Sequence, residues 1–197
     1  MRKNLSWAAI MLLLSIVLIH SFAHPSVAAD TIPKQYLLLK LGVYSPQSDD
    51  MKVYNDGFNG EIYYGRYFHQ NFSSELGAGY FRSNSSDPSF NIKVFDILYN
   101  IKGIYRIGRV ELFAGPGVGL YFAKGYNPPF GTTSEWKAAF GYHLLAGCHV
   151  DVSKEWFVGI EGKYFWATTK DPMIPQGGSF GTHLDGLLGT ATAGWRF

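Results

Sequence analysis

Trp156-Phe157-Val158-Gly159-Ile160-Glu161-Gly162-Lys163-Tyr164-Phe165-Trp166 is the stretch that decides how the rest of the chain is read. Successive side chains of a β-strand point to opposite faces. Read as a strand, one face carries Trp156, Val158, Ile160, Gly162, Tyr164 and Trp166, and the other carries Glu161 and Lys163. One face therefore suits an apolar medium and ends in aromatic rings. The other brings opposite charges within reach of each other. At a helical period of 3.6 the same residues would mix the charges among the rings.

The pattern repeats outward from this stretch. Apolar residues recur with period two in eight runs: 36–44, 57–67, 72–82, 91–105, 109–122, 138–151, 156–167 and 182–197. Each is long enough to cross a bilayer as a tilted strand of about 9–11 residues. One phase holds Leu37, Leu39, Leu41 and Val43, and it continues through residues such as Ile62, Ile101, Leu144 and Trp195 without a charge. Arg66, Ser74, His183 and Asp185 enter that phase only near the ends of runs, where water is available. The opposite phase holds Lys40, Glu61, Glu75, Asp96, Lys102, Glu111, Asp151, Glu161, Lys163 and Arg196, with His143 and His149.

Alternation alone also suits a soluble barrel or sandwich. The near-continuous apolar face, the terminal Trp and Tyr residues and an export signal favour a lipid-facing barrel. Hydrocarbon offers no partner to backbone N–H and C=O groups, so a sheet in a bilayer has to close on itself. The expected fold is all-β: an eight-stranded antiparallel transmembrane β-barrel with up-and-down meander order. Pro116 falls in mid-strand without a donor, and a bulge among Gly115, Gly117 and Gly119 is the expected accommodation. The connections alternate between short (68–71, 106–108, 152–155) and long (45–56, 83–90, 123–137, 168–181). In outer-membrane barrels short turns face the periplasm and long loops face outward, which puts both termini on the periplasmic side.

Composition excludes the main competitors. Of 197 residues, 47% are hydrophobic and 16% charged, so disorder is excluded, and one cysteine cannot make an internal disulfide. Arg2 and Lys3, an apolar stretch over 5–19 and Val27-Ala28-Ala29 before Asp30 read as a secretory signal peptide at 1–29, with the barrel domain at 30–197. Removing that segment takes 17 basic residues to 15 against 15 acids, so the mature net charge is zero. No basic surplus argues for nucleic acid.

The final strand, Leu187-Leu188-Gly189-Thr190-Ala191-Thr192-Ala193-Gly194-Trp195-Arg196-Phe197, ends on an aromatic residue with apolar or small residues at alternate positions. Together with Gly115-Pro116-Gly117-Val118-Gly119-Leu120-Tyr121-Phe122 and the 156–164 stretch, it resembles the small bacterial outer-membrane β-barrel superfamily. That superfamily includes the transmembrane domain of outer-membrane protein A, outer-membrane protein X and the opacity-type proteins. The resemblance implies recognition of the last strand, ending at Phe197, by the barrel-assembly machinery, and contact with outer-membrane lipids and lipopolysaccharide. These motifs carry no catalytic residue. The chain stops at Phe197 without the peptidoglycan-binding domain of larger relatives, so a wall-anchoring role is not carried over.

The lumen of an eight-stranded barrel is about filled by side chains. Its six acids and four bases are expected to pair across it, and the surplus acids imply a shared proton or ordered water. A narrow solute or ion pathway is the alternative. His143 and His149 lie about 20 Å apart along one strand at 3.3 Å per residue, too far to share an ion, and no metal or cofactor is expected. Ser179, His183 and Asp185, with Thr168 or Thr169 beside them, form the best constellation for a lipid A-modifying enzyme. No acyl-transfer motif accompanies it, so the expectation is a non-enzymatic protein. Cys148 reads as a small apolar residue. Tyr126, Phe130, Trp136 and Phe180 read either as contacts for an extracellular ligand or as anchors at the membrane interface.

Overall fold

Each period-two run pairs antiparallel with the next, and the last returns to the first. In the computed structural model, which describes residues 35–51, 54–85, 91–127, 132–133, 136–169 and 182–197, the strands are β1 (Gln35–Pro46), β2 (Gly57–His69), β3 (Phe72–Asn84), β4 (Asn91–Ile107), β5 (Val110–Asn127), β6 (Lys137–Asp151), β7 (Trp156–Thr169) and β8 (Gly186–Arg196). β8 pairs both β7 and β1, from Tyr36↔Arg196 to Pro46↔Gly186, so the sheet is a closed meander barrel. Two short strands, Thr132–Thr133 and Thr182–His183, extend the sheet beside β5 and β7. Among the described residues no helix is long and apolar enough to cross a membrane.

The two phases take opposite sides of this wall as expected. Leu39 is 49% exposed and Ile160 63%, while Lys40 and Glu75 are 0%. The buried core of the molecule is therefore the barrel lumen. Two positions of the outward phase depart among the described residues: Ser74 is 5% exposed, and Leu120, in register between Ile97 and Phe140, is 8% exposed.

Three tight turns lie at one end, hereafter the short-turn end. Gly108 has φ +61° and opens the two-residue hairpin between Ile107 and Val110, a conformation that suits a type II′ turn. Ser153 Oγ accepts the backbone N–H groups of Glu155 and Trp156 and so holds the β6–β7 turn. The other end carries the long connections.

Three details depart from the sequence reading. No bulge forms at Pro116. The register of β5 against β6 runs unbroken from Val110↔Val150 to Ala123↔Lys137, and against β4 it is the same at Asn100↔Gly117 and Gly103↔Ala114. The rungs between those last two pairs are missing instead. Proline has no N–H to make one, and a Cβ on Gly115 would collide with the Ile101 carbonyl, so the strands run close across the gap without an added residue. The register shift that does occur lies on β2 between Tyr67 and His69.

Second, β4 runs on to Ile107, which turns Arg106 into the lumen instead of leaving it in a turn. Third, the eighth run is interrupted at Leu184 and Asp185. The Asp185 carboxylate accepts the Ala167 N–H at 3.2 Å in place of a backbone carbonyl, while Leu184 N–H still bonds Ala167 O at 2.8 Å.

Candidate functional site

The mid-lumen charges form a closed circuit. Lys40 Nζ donates to both Glu161 oxygens at 2.6 and 2.7 Å, and Lys102 Nζ donates to Glu75 Oε1 at 2.7 Å and Glu161 Oε2 at 3.2 Å. Lys40 also lies 3.8 Å from Glu75 Oε2. Two cations and two anions thus alternate, the arrangement in which mutual attraction best offsets the loss of water. Glu75 also accepts from Tyr36 Oη at 2.8 Å and from Asn100 Nδ2 at 2.9 Å. Asn100 Oδ1 then accepts from His143 Nε2 at 2.6 Å, so Nε2 carries the imidazole proton.

A second group joins β2 to β7. Lys163 Nζ bonds both Glu61 oxygens at 2.7 and 2.8 Å, and Tyr63 Oη donates to Glu61 at 2.8 Å. The Tyr63 ring also lies under Lys40 Nζ at 4.1 Å.

Toward the short-turn end, Glu111 receives Arg106 Nη2 at 2.6 Å and Nε at 2.9 Å, with Tyr67 Oη at 3.2 Å. Arg196 reaches Asp151 at 2.5 Å and lies over Phe157 at 4.4 Å. Arg106 was missed because the sequence reading ended its strand at 105, two residues early, although the inward phase 96, 98, 100, 102, 104 leads directly to it. With Arg106 counted, Asp96 is the lumen acid left without an ion pair among the described residues, and neither of its oxygens has a well-formed hydrogen bond.

Toward the long connections the filling changes from charge to aromatic rings. Tyr44 packs on Phe81 at 4.4 Å and Phe165 stacks on Tyr121 at 5.1 Å. Above them Met51 and Tyr54, from the β1–β2 connection, are 1% and 8% exposed, and burial raises the Tyr54 phenol above its ordinary value. Backbone bonds anchor this cover: Gln47 N–H to Asp185 O at 3.0 Å and Asn55 N–H to Asn84 O at 2.8 Å.

The remaining candidates are separated. His143 and His149 have different partners, the second lying between Phe113 and Phe157 at 4.5 and 4.6 Å. Among the described residues no three His, Cys, Asp or Glu side chains are grouped to hold a metal. His183 Nδ1 meets Thr168 Oγ1 at 3.2 Å on the exposed rim, but Asp185 is engaged by Ala167. Ser179, Phe130, Phe180 and the side chain of Tyr126 lie outside the described residues, as does the segment 1–29. Trp136 is exposed, with Lys124 Nζ 5.8 Å from its ring. Cys148 is half-buried on the outer face between Leu112 and Ile160 in register.

The outer face completes the geometry. Aromatic residues stand toward both ends: Phe68, Phe72, Trp156 and Trp195 near the short turns, Phe58, Phe95, Trp136 and Phe140 near the long connections. Between them lie Leu39, Leu41, Ile62, Leu144 and Ile160. Two aromatic girdles flanking an apolar band are the surface of a membrane-spanning barrel.

Solved structures share this architecture. Neisserial surface protein A is 17% identical, with 82% of this chain and 95% of that one covered and a TM-score of 0.60. Ail, the attachment invasion locus protein of Yersinia pestis, is 14% identical, with 84% and 99% covered and a TM-score of 0.58. The outer membrane protein OprG from Pseudomonas aeruginosa is 11% identical, with 86% and 99% covered and a TM-score of 0.56. No curated protein matches. The outer membrane protein beta-barrel domain family matches residues 9–197, nearly the whole chain. With its closed meander, charged lumen and girdled apolar wall, the chain belongs to that family and is an integral barrel of the bacterial outer membrane.

Proposed function

We propose that this barrel is a non-enzymatic structural and surface-interaction protein whose long connections face the cell exterior and whose lumen does not conduct. The observation that supports it is the filling of the lumen at successive levels: the Arg106–Glu111 group, the four-charge circuit and the Tyr44–Phe81–Phe165–Tyr121 rings under Met51. A rigid wall then serves to present the long connections to an extracellular ligand. Export by a signal peptide cleaved after Ala29, periplasmic termini and contact with lipopolysaccharide belong to the same reading. Purified protein in planar bilayers is expected to give no stable conductance steps. Sizeable single-channel steps would replace this reading with that of a narrow solute or ion channel.

A second reading, chemistry on an outer-leaflet lipid, rests on the 3.2 Å contact between His183 and Thr168. An activated hydroxyl also needs an acid to orient its base, and Asp185 bonds to backbone instead. Lipid A from cells carrying His183→Ala is expected to be unchanged; an altered acylation pattern would favour the enzyme.

A further inference from the structure

The outward phase is free of charge along its middle, yet three cations stand side by side on it at the end of the long connections. Arg82 on β3 is directly opposite Lys93 on β4, and Lys93 is directly opposite Lys124 on β5. Arg82 and Lys93 are exposed and Lys124 is half-buried. Directly opposed like charges destabilise a ladder, and here two such pairs share Lys93. No carboxylate among the described residues pairs with any of the three. Their contacts are Arg82 Nε to Asn84 Oδ1 at 3.3 Å and Lys124 beside the Trp136 ring.

One step further into the wall, the same three strands carry Tyr80, Phe95 and Phe122, again directly opposite one another, with 6.4 Å between the Phe95 and Phe122 ring centroids. A row of cations above a row of rings is amphipathic in the direction of the membrane normal. Neighbouring strands are about 4.8 Å apart, so the three cations spread over roughly 10 Å. A soluble polyanion would meet the connections from the water side. An anionic lipid places its phosphates at the cations and its acyl chains along the rings.

We infer that Arg82, Lys93 and Lys124 form a binding site for the phosphates of an outer-leaflet glycolipid of the lipid A type. Tyr80, Phe95 and Phe122 seat its hydrocarbon. The inference deepens the surface-interaction reading and rests on its orientation, with the long connections outside.

The test uses the full folded chain in zwitterionic micelles, titrated with bisphosphorylated lipid A. A Lys or Arg near an anionic surface contributes roughly fivefold to affinity, so the triple variant R82Q/K93Q/K124Q is expected to bind about 100-fold more weakly. Arg66→Gln, at the short-turn end of the same face, is expected to bind as the parent does. Unchanged affinity in the triple variant overturns the site. So does equal affinity for dephosphorylated lipid A. Displacement of the lipid by an equal concentration of inorganic phosphate reassigns the site to free phosphate and overturns the glycolipid. Heat-modifiable gel mobility reports folding. If the triple variant does not fold, Lys93→Gln against Lys93→Arg carries the test, with loss expected only in the first and equal binding overturning the site. Orientation is read separately, by labelling a cysteine at Asn84 in a Cys148→Ser background with an impermeant maleimide on intact cells. Failure to label overturns the outward orientation, and with it the natural ligand, whatever the micelle result.

Discussion

Lys40 Nζ on β1 lies 2.6 Å from Glu161 Oε1 on β7, with β8 standing between the two strands in the wall. The bond therefore ties together two strands that do not pair in the ladder. Removing one partner leaves a buried charge uncompensated, so Lys40→Met is expected to destabilise the barrel by about 3–5 kcal/mol. Replacing both, as Lys40→Met with Glu161→Leu, is expected to recover much of that loss. Urea unfolding of both variants, followed by tryptophan fluorescence, checks the pair; equal losses would show that the circuit is not coupled.

Ile160 is exposed at mid-height on the outer wall, between Trp156 and Trp166 on the same face. An arginine facing lipid at the bilayer midplane costs about 2–4 kcal/mol, and near an interface about 0–1. Ile160→Arg is thus expected to be far more damaging than Thr168→Arg, measured as unfolding free energy in phospholipid vesicles. Equal effects would argue against the assigned membrane boundaries.

The faces of the wall were legible in the sequence because the surroundings act on every residue separately. A charge at position 39 or 160 would face hydrocarbon whatever its neighbours did. Which charges meet inside was not legible. Lys40 finds Glu161 across 121 positions of chain, and that pairing depends on the register of several ladders at once. Arg106 could have been found by extending the inward phase by one step. The Pro116 gap could not, because a bulge and a skipped rung both answer the missing N–H, and it is the unchanged register against both neighbours, β4 and β6, that decides between them.

That gap yields a further prediction. A Cβ at Gly115 would meet the Ile101 carbonyl, a backbone atom that cannot swing aside. Gly115→Val is expected to destabilise by at least the 1–3 kcal/mol typical of overpacking. Gly189 has open space around it, so Gly189→Val is the matched control and is expected to be near neutral. Denaturation midpoints of the two variants check this.

Phe197 N–H and O exchange bonds with Gln35 at 3.0 and 3.3 Å, and the Phe197 ring stacks on Trp195 at 5.0 Å. If the carboxy-terminal aromatic residue also serves the assembly machinery, Phe197→Ala will lower the amount of barrel in the outer membrane severalfold while purified protein still refolds in detergent. Quantitative immunoblotting of membrane fractions, beside refolding yield, separates the two effects. A parallel fall in both assigns Phe197 to stability alone.

The seam between β1 and β8 gives the barrel a chronology. Neighbouring strands elsewhere in the wall are joined by the connection between them, so each can zip soon after both are synthesised. Tyr36 and Arg196, by contrast, meet from opposite ends of the strand order. Contacts this remote are entropically the slowest to form. Until they form, two unsatisfied sheet edges stay open, a state that hydrocarbon rejects. Passage into the bilayer and completion of the cylinder are thereby bound into one event, and the partly assembled chain has to be kept out of the membrane until its last strand arrives.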